Sequence, residues 1–239
     1  MLISNFKRFN MKRVDAYLSS LGYCSRSEAR KFMKQNEITV LDKRVFNPST
    51  KASHKDIKVN QEALDSEKLL ILLNKPKDYI CSHNDAGKLI YSLLPKRWQN
   101  RNPKISTIGR LDIDTTGLIL LTDDGELNHR LTSPKKDIKK IYEVTLLNPL
   151  NGDEKELFSS GTILLNGEDK PLKPAKLTII NDTLVHLEIV EGKYHQVKRM
   201  FAYTKNKVIK LHRVSFADTF LEDLKEGSFK ELDINLFID

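Results

Sequence analysis

Cysteine is scarce in this chain of 239 residues: Cys24 and Cys81 stand far apart, with no CxxC and no Cys/His pair at metal-ligand spacing. That argues against a disulfide framework or a zinc site and for thiols kept reduced in the cytoplasm. No uninterrupted apolar run approaches the roughly 20 residues of a membrane-spanning helix, so no membrane partner is expected. The opening MLISNFKRFNMKR is basic but has neither a signal-length apolar segment nor a small-residue cleavage site. It does not read as an export signal, and Met11 is an alternative start. Glycine-rich nucleotide loops and metal-ligand clusters are also missing, so no cofactor and no metal are expected.

What is present is charge, and its position matters more than its sum of +8. Residues 1–60 hold 13 Lys and Arg against 5 Asp and Glu, while residues 61–239 hold 27 of each. A small basic block on a neutral body reads as an anchor for a polyanion, because each phosphate neutralised releases condensed counterions. A second basic surface is expected from Lys193 to Arg213, a stretch without acids that interleaves Tyr194, Phe201 and Tyr203 with Lys198 and Arg199. Lys135, Lys136, Lys139 and Lys140 form a further run, expected to edge a cleft and touch phosphates.

Residues 13–21 have a short helical pattern ended by Gly22. A second helix is expected from Ser25, with Glu28 completing a capping box and Arg26, Arg30 and Lys34 sharing one face against a phosphate backbone. Alternation in ITVLDKRVF and DIKVNQ predicts short strands. The segment DAYLSSLGYCSRSEARKFMKQNEITVLDKRV resembles an S-four-like RNA-binding module, helix-turn-helix plus strands, over residues 11–60. Residues 61–67 read as a polar linker, and a second domain is expected over 68–239.

In that second domain, strands are predicted at LLILLNKP, GLILLTDD, KIYEVTLL, KPAKLTIIND and LVHLEIVEG, and helices at ELNHRLTS, DEKELFSSG and HQVKRMFAYT. Strands and helices mix without a βαβ rhythm. The expected class is α+β, on a mixed, mainly antiparallel sheet with flanking helices.

The segment GRLDIDTTGLILLTDDG sets a polar turn between glycines directly before a buried strand, which fixes polar side chains at a strand end. Arg110 next to Asp112 would keep that carboxylate ionised; a surface loop with a local ion pair is the plainer reading. Extended to GRLDIDTTGLILLTDDGELNHRLTSP, the segment resembles the signature of the pseudouridine synthases related to the 16S-rRNA enzyme. The resemblance implies that Asp112 is the essential catalytic residue, that Arg110 and Thr115 belong to the loop positioning it, and that Asp114, Asp123 and Asp124 are structural.

The same resemblance implies that Tyr142 packs on the target base and that Lys198 pairs with Asp112, with Arg199 as the alternative if the register slips by one. Phe201 would line the apolar side of the pocket. His195 lacks a second histidine at ligand spacing and reads as an RNA contact rather than a base. Lys193 and Arg213 are expected to bind RNA.

The implied reaction breaks C1′–N1 of a uridine, turns the uracil and joins C5 to C1′, with Asp112 attacking C1′ or taking the C2′ proton. The implied partner is 16S rRNA in a partly assembled small subunit, modified at a uridine-516-type site by a monomeric enzyme. Three alternatives stand beside it: a 23S-directed relative, a non-catalytic assembly factor, and a nuclease using Asp112, Asp114, Asp123 and Asp124 around Mg²⁺.

Overall fold

A computed structural model describes residues 11–237. Residues 1–10, with most of the segment weighed as an export signal, and residues 238–239 lie outside the described residues. The chain divides into two compact units: the residues up to Leu69 with Leu94–Ile105, and Leu70–Leu93 with the residues from Ser106 onward.

In the first unit, α1 (Val14–Ser20) and α2 (Ala29–Gln35) accompany an antiparallel pair, β1 (Ile38–Val40) and β2 (Ile57–Val59). Val14, Tyr17, Leu18 and Leu21 recur at helical spacing and form its core with Met33, Ile38 and Ile57. Ser25 and Glu28 do exchange capping bonds, Ser25 N donating to Glu28 Oε2 at 3.1 Å and Glu28 N to Ser25 Oγ at 3.3 Å. Yet Glu28 N also donates to Ser25 O at 3.1 Å, closing a tight turn, and α2 begins only at Ala29. Arg26 therefore lies on the turn, 3.8 Å from Asp15, and only Arg30 and Lys34 sit on the helix.

Residues 61–67 are held within this unit. Asp65 accepts two bonds of 2.7 Å from Arg97 and one of 3.1 Å from Trp98, Arg101 donates to the carbonyls of Ser66 and Glu67, and Lys12 meets Glu67 at 2.7 Å. Arg97 and Trp98 belong to α3 (Lys96–Gln99). Gly22 (φ +81°) lets this segment approach, for a Cβ there would stand 2.1 Å from Arg97 O.

The second unit is built on one sheet. Its main strands are β3 (Leu70–Lys75), β4 (Ser106–Ile108), β5 (Thr116–Thr122), β6 (Lys140–Leu146), β7 (Lys176–Asn181), β8 (Leu184–Ile189), β9 (Val208–Phe216) and β10 (Phe229–Leu232), and the short strand Thr219–Phe220 pairs with the end of β9. Their order is β7-β8-β6-β9-β5-β3-β10, with β4 beside β5. The helices are α4 (Gly125–Thr132), α5 (Glu154–Ser159) and α6 (Gln196–Tyr203). Strands β3 and β5 are almost wholly buried, as their unbroken apolar runs require, whereas β6 and β8 alternate. The class is α+β, and among these neighbours only β5 and β9 run parallel. Among the described residues no helix is long and apolar enough to cross a membrane.

Strand β9 is not expected from the sequence, because Lys210 and Arg213 read as part of a basic surface. Its pairing with β5 sets Gly117 against Arg213 so closely that a Cβ on Gly117 would lie 2.3 Å from Arg213 O, at φ +104°. Gly117→Ala should cost about 1–3 kcal/mol from backbone strain alone, before any steric term. Urea unfolding checks this; an unchanged midpoint would contradict the close approach.

Candidate active site

The loop of residues 109–115 leaves β4 and enters β5. Thr115 N donates to Asp112 O at 3.1 Å, which closes the turn. Beneath it lies Lys75, at the end of β3 and fully buried, whose ammonium donates to Thr115 O (2.8 Å), Pro76 O (3.1 Å) and Ile113 O (3.2 Å). Burial pulls the Lys75 pKa below the ordinary lysine value, partly opposed by Cys81, Asp114 and Asp112. Three carbonyl acceptors on one cation pin the loop's backbone.

Facing the loop is the start of α6. His195 caps it in a left-handed conformation (φ 46°), and Lys198 follows within the first turn. Lys198 Nζ lies 3.0 Å from Asp112 Oδ2 and 2.6 Å from Asp114 Oδ1, while His195 Nε2 lies 3.4 Å from Asp112 Oδ1. Burial works against the Lys198 charge, but the bonds to Asp114 and Asp112 outweigh it and raise its pKa. For Asp114 burial likewise opposes the charge, and Lys198 outweighs it, holding the carboxyl below the usual range. The Asp112 side chain is 29% exposed and opens on a pocket with an apolar side of Leu111, Tyr142, Ile189, Val197 and Leu211 and a polar side that includes Arg110, Lys193 and Gln196. A carboxylate flanked by an ammonium and an imidazole at the mouth of a pocket of mixed lining can act as nucleophile or base.

Of the residues singled out in the sequence, Asp112, Thr115, Tyr142 and Lys198 come together here. Thr115 is buried, and its hydroxyl has no partner among the described residues. Arg110 is exposed at the rim, and Lys198 rather than Arg110 neutralises Asp112. Arg199 turns away to Glu168 (3.1 Å), Tyr194 O and Asn166 O. Phe201 does not line the pocket; it is buried edge-on against Phe158, with ring centroids 5.2 Å apart.

The basic residues also separate. Lys135 and Lys136 are exposed on a short 3-10 turn; Lys139 is exposed, 3.8 Å from Glu188, and Lys193 pairs with Glu168 at 3.1 Å. Lys140 is half-buried, and Arg213 is 2% exposed with Nε donating to Leu118 O at 2.7 Å, so neither lies on an open basic surface. His195, discounted from sequence, touches the carboxylate, and Lys75 was not singled out at all. The KP ending of the first apolar run was its only signal.

The four-aspartate metal reading fails on geometry. Asp124 N-caps α4 through bonds from Glu126 N (3.0 Å) and Leu127 N (3.3 Å), at the far end of β5 from Asp112 and Asp114. A seven-residue strand separates the pairs by roughly 20 Å. Among the described residues no group of three or more His, Cys, Asp or Glu could hold a metal ion.

Residues 69–203 match the family described as RNA pseudouridylate synthase, and residues 12–58 match the S4 domain. The chain belongs to the RNA pseudouridylate synthase family. It is therefore an isomerase acting on RNA. It is 41% identical over 229 residues to ribosomal small subunit pseudouridine synthase A of Pasteurella multocida, covering 92% of this chain and 95% of that protein. The Escherichia coli protein of the same name is 39% identical over 231 residues, covering 92% and 96%. A solved structure described as a crystal structure of pseudouridylate synthase aligns with a TM-score of 0.65 at 39% identity, covering 95% of this chain and 98% of that one.

The bridge has a defined pH window. Asp114, with its lowered pKa, adds stability above the ordinary aspartate value of 3.8 and loses it as pH falls through the lowered one. Lys198, raised, adds stability below 10.5 that is lost as pH rises through the raised value. The stability difference between wild type and Asp114→Asn should be flat from about pH 5 to 9 and shrink at both extremes. Urea unfolding across pH tests this; a difference that grows on acidification would contradict it.

Proposed function

We propose that this chain isomerises a uridine of 16S rRNA to pseudouridine, at the uridine-516-type position, with Asp112 as the catalytic carboxylate. The observation that carries this reading is the position of Asp112 between Lys198 and His195 at a pocket closed by Tyr142. The choice of 16S rRNA follows the relatives, whose names specify the ribosomal small subunit. A partly assembled small subunit in the cytoplasm is the proposed substrate and a monomer the proposed working state.

An enzyme acting on a stacked base must evert it and offer a new π-partner, and Tyr142 is suited to that. Lys198 sets an ammonium 3.0 Å from the carboxylate that would attack C1′ or remove the C2′ proton. Once C1′–N1 is cleaved, the uracil turns, C5 bonds to C1′, and the C5 proton is lost while N1 gains one. Nothing is oxidised or hydrolysed overall, so the step needs no cofactor. Exposed Arg30 and Lys34 on α2 supply phosphate contacts.

Pseudouridine mapping in small-subunit RNA tests the chemistry. Wild type should modify one uridine and Asp112→Asn none, with RNA affinity changed less than about twofold; an equal loss of binding, or modification confined to 23S rRNA, would overturn the assignment. Replacing Arg30 and Lys34 with Gln should lower the salt slope of RNA binding by about 0.7–0.9 per lost phosphate contact. An unchanged slope would remove α2 from the interface.

A further inference from the structure

Behind Tyr142 lies a second cleft, which shares Arg110, Tyr142 and Gly192 with the Asp112 pocket. Arg213 and Lys140 both line it. Arg213 sits on β9 as the cross-strand partner of Tyr142 and of Gly117. One of its nitrogens, Nε, is satisfied by Leu118 O, but Nη2 is buried without an acceptor among the described residues. A charged donor left unpaired inside a protein is costly, which points to a partner supplied from outside.

Lys140 deepens the imbalance. Its ammonium reaches Ile138 O at 2.7 Å and lies 5.8 Å from the Phe216 ring. Burial first, and the charge of Arg213 second, bring its pKa down to about 8. Glu191 is the one acid lining the cleft, and its Oε1 already accepts from Lys173 N (2.8 Å) and Gln196 Nε2 (3.0 Å). Arg213 and Lys140, with Arg110 also in the lining, thus share a recess whose single acid has one carboxylate oxygen already engaged.

We infer that Arg213 and Lys140 form an anion subsite, and that its ligand is a phosphodiester of the RNA strand adjoining the everted uridine. The identity of that ligand rests on the function proposed above; the anion preference rests on the cleft alone. A phosphate one sugar away from the reacting C1′ falls beside the Asp112 pocket, which this cleft adjoins through Arg110, Tyr142 and Gly192. The subsite would fix the nucleotide by its backbone while Tyr142 holds the base, a positioning role distinct from the chemistry at Asp112.

The test is Lys140→Gln, with Arg213→Lys as a second variant and thermal melting to check that each is folded. RNA binding by Lys140→Gln should show a salt slope about 0.7–0.9 shallower than wild type. Turnover should show KM raised severalfold with kcat nearly kept. Methylphosphonate in place of one phosphate flanking the modified uridine should weaken binding to wild type and cost Lys140→Gln little more. A folded Lys140→Gln with wild-type slope, or full sensitivity to every methylphosphonate, overturns the subsite. A shallower slope with a wild-type enzyme that makes no pseudouridine would instead sink the uridine reading and leave the anion subsite standing.

Discussion

The parallel pairing of β5 with β9 brings together residues that the sequence keeps 86 positions apart. The loop bearing Asp112 and Asp114 runs into β5, and α6 with Lys198 runs into β9. Because Gly117 offers no side chain, the two backbones close to a separation at which an ammonium on one element reaches both carboxylates of the other. Lys75 completes the arrangement from below, fixing the loop through its carbonyls and leaving its side chains free to face the pocket.

Charge compensation decides which groups can stay ionised there. At an effective dielectric constant near 20, two unit charges about 4 Å apart attract by about 4 kcal/mol before desolvation, which takes back a large share. For Lys198 the attraction wins, and its affinity for the proton rises; for Lys75, which has carbonyls and no carboxylate in contact, burial wins and it falls. The pocket is therefore held by two lysines in opposite electrostatic situations. One balances charge, and the other organises the backbone.

Much of this was legible beforehand. Helices α4 to α6 and the turn before β5 are legible, because glycine-bracketed turns and apolar periodicity are local signals, and Tyr142 and Lys198 do stand near Asp112. The misreadings share a cause: the fate of a charged side chain is decided by partners distant in sequence. Arg213 looks like a surface residue until β5 supplies a carbonyl, and Lys75 looks like the polar end of a strand until the loop folds over it. Phe201 was misplaced for a related reason. Val197, Met200 and Phe201 form the buried face of α6, and Lys198 stands at the border of that face, so the aromatic goes to Phe158 and the core. The late start of α2 reflects a competing local bond, from Glu28 N to Ser25 O, which tightens the first turn.

The excursion at residues 94–105 bears on how the molecule is made. Trp98, Arg101 and Ile105 are buried within the first unit, and Gly22 is shaped to receive the backbone at Arg97, so that unit lacks part of its interior until position 105 has been synthesised. The polypeptide passes between the units three times. During translation the N-terminal fold must wait, incomplete, while β3 of its neighbour emerges first. The two bodies are thus interlocked in order of synthesis, and no single cleavage point yields both of them whole.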